Sequence, residues 1–366
     1  DVSENLLKGS VPTELCDLQL DILRIDCDRV QCSCCVCAGT GPPSTSAPVV
    51  QPTLSPANTP SPTPAPNGFP PVVIDETDPL YALIQSISAD GGEALRTEGT
   101  AQRTAFGWVQ SAANNNIGDQ DQLIQRYALV TIYYSTGGSS WTNKQSWLST
   151  SNECLWYTSE TKDPVCNGGA KYVELNLGEN NLDGTLPLEV LLLEELRTIE
   201  LLENSLSGSL APELSRLTAL EELELRSNEV TGEIPTEYGR LSLLKRLSLY
   251  DNQLISTIPT ELGRLLELEM LDVGSNDLVG PLPSEIGNMA SLAGLSVYDN
   301  QQLGGNIPTQ LANAINLQLI YLDATSLVGP IPGGVCDLDI RDFWSDCQET
   351  QCLCCTTCCI DDFGCV

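Results

Sequence analysis

Leu223-Glu224-Leu225-Arg226-Ser227-Asn228-Glu229-Val230-Thr231-Gly232-Glu233-Ile234-Pro235 is the stretch whose reading decides the fold. Two apolar residues flanking one polar residue predict a short strand with a single buried face. The asparagine that follows carries an amide able to satisfy backbone groups that a bend leaves unpaired. Glycine then permits a tight or positive-φ turn, and proline stiffens the return path while removing a donor. The apolar pair recurs as Leu175/Leu177, Ile199/Leu201, Leu247/Leu249, Leu271/Val273, Leu295/Val297 and Ile320/Leu322, in steps of 24 residues except for one of 25 near Gln301 and Gln302. Asn180, Asn204, Asn252, Asn276 and Asn300 keep the amide, and Thr325 replaces it in the last turn. A period of this size predicts a solenoid, in which no turn buries its own face and the ends need caps. At about 4.8 Å between strands, seven turns make a parallel sheet on the order of 30 Å long. Ser256 stands where glycine is usual and Ala211 precedes a displaced Pro212, so the convex side should deform there without breaking the stack.

The pattern L-x-L-x-x-N-x-L-x-G-x-[IL]-P resembles the plant-type leucine-rich repeat, which implies an α/β leucine-rich-repeat solenoid of about seven 24-residue turns. Before the first turn, residues 121–172 hold Arg126-Tyr127-Ala128-Leu129, Tyr133-Tyr134-Ser135-Thr136-Gly137-Gly138, Trp141, Trp147, Cys154, Trp156 and Cys166. A bridge between Cys154 and Cys166 closes a short loop and is worth roughly 3 kcal/mol. This helix, its tryptophans and the cysteine pair look like the N-terminal cap of secreted plant-type repeats. The wording also resembles secreted leucine-rich-repeat proteins of diatoms and related algae, over roughly residues 78–366. Upstream, Leu80, Leu83, Ile84 and Ile87, and then Phe106, Trp108 and Val109 against Ile117, are spaced for a small helical subdomain.

The chain also carries one ending twice. Cys16, Cys27, Cys32, Cys34 and Cys35 return as Cys336, Cys347, Cys352, Cys354 and Cys355, always 320 residues on, and Gly9, Pro12, Asp17 and Leu18 return as Gly329, Pro332, Asp337 and Leu338. The expected organisation is therefore a window on a tandem array. Residues 1–37 are the end of a preceding module, 38–74 a Pro/Ser/Thr-rich linker, 75–172 a helical and disulfide cap, 173–335 the solenoid and 336–366 a Cys-rich C-terminal cap. Eleven prolines between Ala38 and Pro71 predict an extended tether. Ser44, Thr45, Thr53, Ser55, Thr59, Ser61 and Thr63 are candidates for O-linked sugars, the alternative being a bare tether.

Sixteen cysteines, with Cys37, Cys358, Cys359 and Cys365 completing the set, point to disulfides and an extracellular or cell-surface location. Dense clusters such as Cys32-Ser33-Cys34-Cys35 leave metal as the alternative, although structural zinc favours two-residue gaps in separated pairs. Six cysteines allow 15 pairings and eight allow 105, so connectivity stays open. With no leader at Asp1, export is expected to be encoded upstream or already processed. There is no N-glycosylation sequon, and no apolar run of membrane-spanning length.

A formal charge of −32 opposes nucleic acid and anionic membrane, and the absence of histidine excludes Ser-His-Asp, Cys-His and His-ligated metal chemistry. No enzyme activity and no cofactor are expected. Weak calcium binding by Asp75, Glu76 and Asp78 or by Asp361 and Asp362 lacks an EF-hand spacing. Binding is placed on the inner face of the sheet, at Glu200, Glu224, Arg226, Tyr250, Asp272, Tyr298, Tyr321 and Asp323. The leading expectation is a structural or adhesive module that meets copies of itself or neighbouring modules in fibres or a surface layer. The alternative is a recognition module that takes glycan or peptide on the concave face.

Overall fold

The computed structural model describes residues 9–10, 24–25, 30–31, 36–37, 76–77, 79–88, 90–111, 119–156, 165–346, 350–352, 354–360 and 364–365. The linker 38–74 with its candidate glycosylation sites, Asp75, Asp78, Asp361 and Asp362 lie outside these residues, as do Cys16, Cys27, Cys32, Cys34, Cys35 and Cys347. The chain divides into two units, residues 1–63 and 64–366. In the first, β1 (Gly9–Ser10) pairs in parallel with β3 (Val30–Gln31), and β2 (Arg24–Ile25) with β4 (Val36–Cys37).

The second unit opens with α1 (Pro79–Ile87), α2 (Glu93–Arg96), α3 (Ala101–Gln110) and α4 (Gln120–Ser135). Thr100 caps α3 by accepting from the Arg103 N–H at 3.2 Å, and Asp119 caps α4 through Asp121 N–H at 3.1 Å, so orphan donors at both helix starts are satisfied. Every residue of α4 from Gln125 to Tyr133 is buried, as expected of a helix enclosed on all sides. Its one internal charge, Arg126, meets Glu153 at 2.9 Å. The same carboxylate accepts from Gln125 at 2.8 Å and Gln122 at 3.0 Å, so its lone pairs are filled where water is absent. Tyr133, Trp141, Trp147 and Trp156 pack on one another edge to face, stacked or tilted, and Cys154 is bridged to Cys166 with Cα atoms 5.5 Å apart.

The solenoid alternates inner and outer strands. In chain order these are β5 (Glu174–Asn176), β6 (Asp183–Gly184), β7 (Thr198–Glu200), β8 (Ser205–Ser209), β9 (Glu222–Glu224), β10 (Glu229–Gly232), β11 (Arg246–Ser248), β12 (Gln253–Leu254), β13 (Met270–Asp272), β14 (Val279–Gly280), β15 (Gly294–Ser296), β16 (Asn300–Asn306), β17 (Leu319–Tyr321) and β18 (Thr325–Val328). Then follow α5 (Gly333–Cys336), β19 (Asp342–Asp346), β20 (Thr357–Ile360) and β21 (Gly364–Cys365). The odd-numbered strands from β5 to β19, with β20 and β21, form one ten-stranded sheet, parallel until the antiparallel β20–β21 edge. Its register places Leu223, Leu247, Leu271, Leu295, Ile320 and Phe343 side by side, all buried. The sheet thus continues into the segment read from sequence as a Cys-rich cap. There Cys336 is bridged to Cys354 and Cys352 to Cys355.

The asparagines hold the bends. Asn228 donates to the carbonyls of Leu201, Leu225 and Arg226 at 2.9, 3.0 and 3.2 Å, and its carbonyl accepts from Leu206 N–H at 2.9 Å. Where Thr325 replaces the amide, its hydroxyl donates to the Leu322 carbonyl at 2.7 Å. Asp346 accepts from the N–H groups of Ala324 and Thr325 at 3.1 and 3.2 Å, the acceptor place that the next turn's asparagine takes above Asn180. On the convex side a short 3₁₀ helix follows the proline in most turns, as in Thr236–Arg240 and Thr260–Arg264. Gly263 lets neighbouring turns close up, since a Cβ there would sit 2.5 Å from the Glu285 carbonyl. The extra residue near Gln301 is taken up as a bulge in β16, where the register with β18 shifts between Asn300 and Gly304. Ser256 holds φ 75°, the left-handed conformation that Gly232 and Gly280 adopt in the adjoining turns. The outer strands split there into two sheets, β6 to β12 and β14 to β18.

Candidate functional site

Alternation along each inner strand buries the paired apolar residues and turns the residue between them to the other face. Register then builds a row from Asn176, Glu200, Glu224, Ser248, Asp272, Ser296, Tyr321 and Trp344 on eight successive strands. A second row two residues on holds Gly178, Leu202, Arg226, Tyr250, Gly274, Tyr298 and Asp323. Of the expected site residues, Glu200, Glu224, Asp272 and Tyr321 stand in the first row and Arg226, Tyr250 and Tyr298 in the second, all half-buried. Asp323 departs from expectation: it is only 9% exposed, with Oδ1 enclosed, and does not present itself as a surface contact. Its strand is the last full turn, roofed by β19, and that burial raises the carboxyl pKa.

The acidic end of the face is under like-charge strain. Burial, then the neighbouring Glu224, lifts Glu200 to about 7, and the Asn176 amide donates to it. Glu224 is also raised by burial, with Arg246 opposing at 3.0 Å. Arg226 pairs with Glu203 at 3.3 Å. Further along, burial raises Asp272, which accepts from Gly274 N–H at 3.2 Å. Tyr250 and Tyr298 stack across Gly274 with centroids 5.6 Å apart.

The aromatic end was only partly legible. Trp344 packs edge-on against Tyr321 at 5.6 Å, and Asp342 fixes both by accepting from the Tyr321 hydroxyl at 2.9 Å and the Trp344 indole at 2.5 Å. Trp344 and Asp342 were missed because they lie beyond the last recognised repeat. Arg246 was missed because it precedes its apolar pair. For Arg246 the signal is the period read one residue earlier; for Trp344 and Asp342 the period fails, since the step from Ile320 to Phe343 is 23 residues and Ser345 stands where the second apolar residue belongs. Among the described residues no group of three or more carboxylates and cysteines is arranged to hold a metal ion, and no helix is long and apolar enough to cross a membrane.

A curved sheet of in-register short strands, asparagine-pinned bends and an open, partly charged inner face define a leucine-rich-repeat solenoid. The family model described as Leucine Rich Repeat matches residues 243–265 and 267–289. The chain is similar to the Arabidopsis receptor kinase HAESA, solved in complex with the peptide hormone IDA and the co-receptor SERK1, at 29% identity and a TM-score of 0.53 over 62% of this chain and 37% of that one. The HAESA ectodomain with an N-terminally extended IDA peptide gives 30% identity and a TM-score of 0.52, over 62% of this chain and 36% of that one. The PEPR1-AtPEP1 structure gives 28% and 0.52, over 60% of this chain and 30% of that one. The match thus spans only about a third of each of these solved chains. A search of curated protein sequences finds no match.

Proposed function

We propose that the concave face is a recognition surface for an extended peptide segment of a partner protein, displayed outside the cell. The observation that carries this reading is the row from Glu200 to Trp344, fixed in register across neighbouring strands, in which half-buried acids and aromatics are separated by the small buried residues Ser248 and Ser296. The likeness to receptor ectodomains solved with peptide ligands supports it, as do the disulfides, which persist in oxidising compartments. The resemblance of the cap to secreted algal repeat proteins fits the same location. Catalysis has no part in this reading. A phage library of random dodecapeptides panned on the whole protein tests it. Enrichment is expected on the wild type and lost on Glu200→Lys/Glu224→Lys/Tyr321→Ala whose circular dichroism is unchanged. No enrichment, or equal enrichment on the variant, overturns it.

A second reading, that the chain is one part of a tandem array assembling into fibres or a surface layer, is favoured by a separate observation. The β2–β4 pairing of Arg24 with Val36 recurs, 320 residues on and within one residue of register, as Trp344 with Thr357 in β19–β20. The first cassette is then the closing end of another module and 38–74 a tether. Mass spectrometry of the mature protein is the test: several modules are expected, and a mass matching one 366-residue chain sinks the covalent form.

A further inference from the structure

Tyr250 and Tyr298 occupy the same row two strands apart, so their backbones are about 10 Å from each other. Their rings nevertheless stack, 5.6 Å between centroids and 27° between planes. Gly274, just past β13 in the turn between them, makes this possible. A Cβ at Gly274 would lie 2.8 Å from two ring carbons of Tyr298, so the ring rests where any other residue would place its side chain. Two residues earlier, at the end of β13, half-buried Asp272 accepts from the Gly274 N–H at 3.2 Å. Two arginines of the face are engaged elsewhere, Arg226 with Glu203 at 3.3 Å and Arg246 with Glu224 at 3.0 Å.

We propose that Tyr250, Tyr298, Gly274 and Asp272 form a subsite for an arginine side chain of the bound segment, with the guanidinium sandwiched between the two rings and paired with the Asp272 carboxylate. This deepens the reading of the concave face as a peptide-recognition surface and rests on it. A flat group between two rings needs about 7 Å, two van der Waals contacts of about 3.5 Å each. The strand spacing supplies that width once Tyr298 rotates off Gly274, a side-chain rotamer change. The stacked pair is therefore the closed form of the slot. Its walls are two ring faces, its floor is glycine backbone, and its side is a partly desolvated carboxylate. A guanidinium matches all three: it is planar, it stacks on aromatic faces as a cation, and its fork of N–H donors fits a carboxylate. An ammonium lacks the flat face. A neutral aromatic ring draws nothing from Asp272.

The test titrates the whole protein, with ¹³C-labelled tyrosine, using N-acetyl-L-arginine amide, the lysine amide and the phenylalanine amide. Tyr250→Phe and Tyr298→Phe spectra assign the two ring signals. Arginine amide should shift both signals saturably and bind about tenfold more tightly than lysine or phenylalanine amide, with about tenfold loss in the near-isosteric Asp272→Asn. Tyr321→Ala, on a different part of the face, should bind arginine amide as the wild type does. The proposal is overturned if neither signal saturates, if another amide binds equally well, or if Asp272→Asn binds like the wild type. These probes need no peptide ligand, so their failure removes the subsite and leaves the phage-library result standing. Failure of the library removes the peptide-recognition reading without touching the titration.

Discussion

Tyr238 stands in the convex column that Leu214, Leu262, Ile286 and Leu311 fill in other turns, and its buried hydroxyl has no hydrogen-bond partner. A buried unpaired hydroxyl loses its water without compensation, so Tyr238→Phe should stabilise the protein by about 1 kcal/mol. Urea denaturation checks this, and a loss of stability would mean the hydroxyl is satisfied in solution. Glu200 gives a pH prediction. With the pKa raised from its ordinary 4.5 to about 7, the folded state keeps a proton that the unfolded chain has lost between these values. Stability should therefore fall as pH rises through that window. Glu200→Gln should remove part of the fall, read as the difference between melting temperatures measured at about pH 5 and pH 8. An unchanged slope would assign the effect to Glu224 and Asp272, which burial shifts in the same direction.

At the scale of the single turn, the asparagine is the element's keystone. Asn252 donates to the carbonyls of Leu225, Leu249 and Tyr250 at 3.0, 3.1 and 3.1 Å and accepts from Val230 N–H at 2.9 Å. Asn252→Ala leaves these backbone groups unpaired at a bend, and about 3 kcal/mol or more should be lost in chemical denaturation. A loss under about 1 kcal/mol would mean that water replaces the amide. The role of these asparagines was legible because the residue recurs at a fixed distance from each strand. That Asp346 takes the place of the following asparagine at the Thr325 bend was not, because the two meet only through the pairing of β17 with β19. Gly263 and its equivalents were equally silent. Their reason is the carbonyl of the next turn, and the sequence does not show how closely two 3₁₀ helices approach.

Over the whole solenoid each turn touches only its neighbours, so a defect at one end should stay local before it spreads. The cap seals the β5 edge through α4, the buried Arg126–Glu153 pair and the Cys154–Cys166 bridge. Replacing both cysteines by serine should lower stability by about 3 kcal/mol. Hydrogen exchange should lose protection first in β5 and β7 while β15 and β17 hold. Uniform loss along the sheet would show instead that the solenoid unfolds as one cooperative unit.

The 24-residue period by itself determined the strands, their bends and which residues share the inner face, because each of these is a local choice repeated at fixed spacing. It also placed the cap, whose tryptophans and cysteine pair lie close together in the chain. Only the tertiary structure decided how far the sheet runs, since β19 joins it through hydrogen bonds to β17 without the repeat's own pattern. It likewise decided which inner-face groups are open to a partner. Asp323 and Tyr298 occupy the same row in the sequence, yet one is buried beneath its neighbours and the other leans across Gly274 to meet Tyr250. Burial and ring stacking depend on what the adjacent turn places alongside, and that is set by packing between turns.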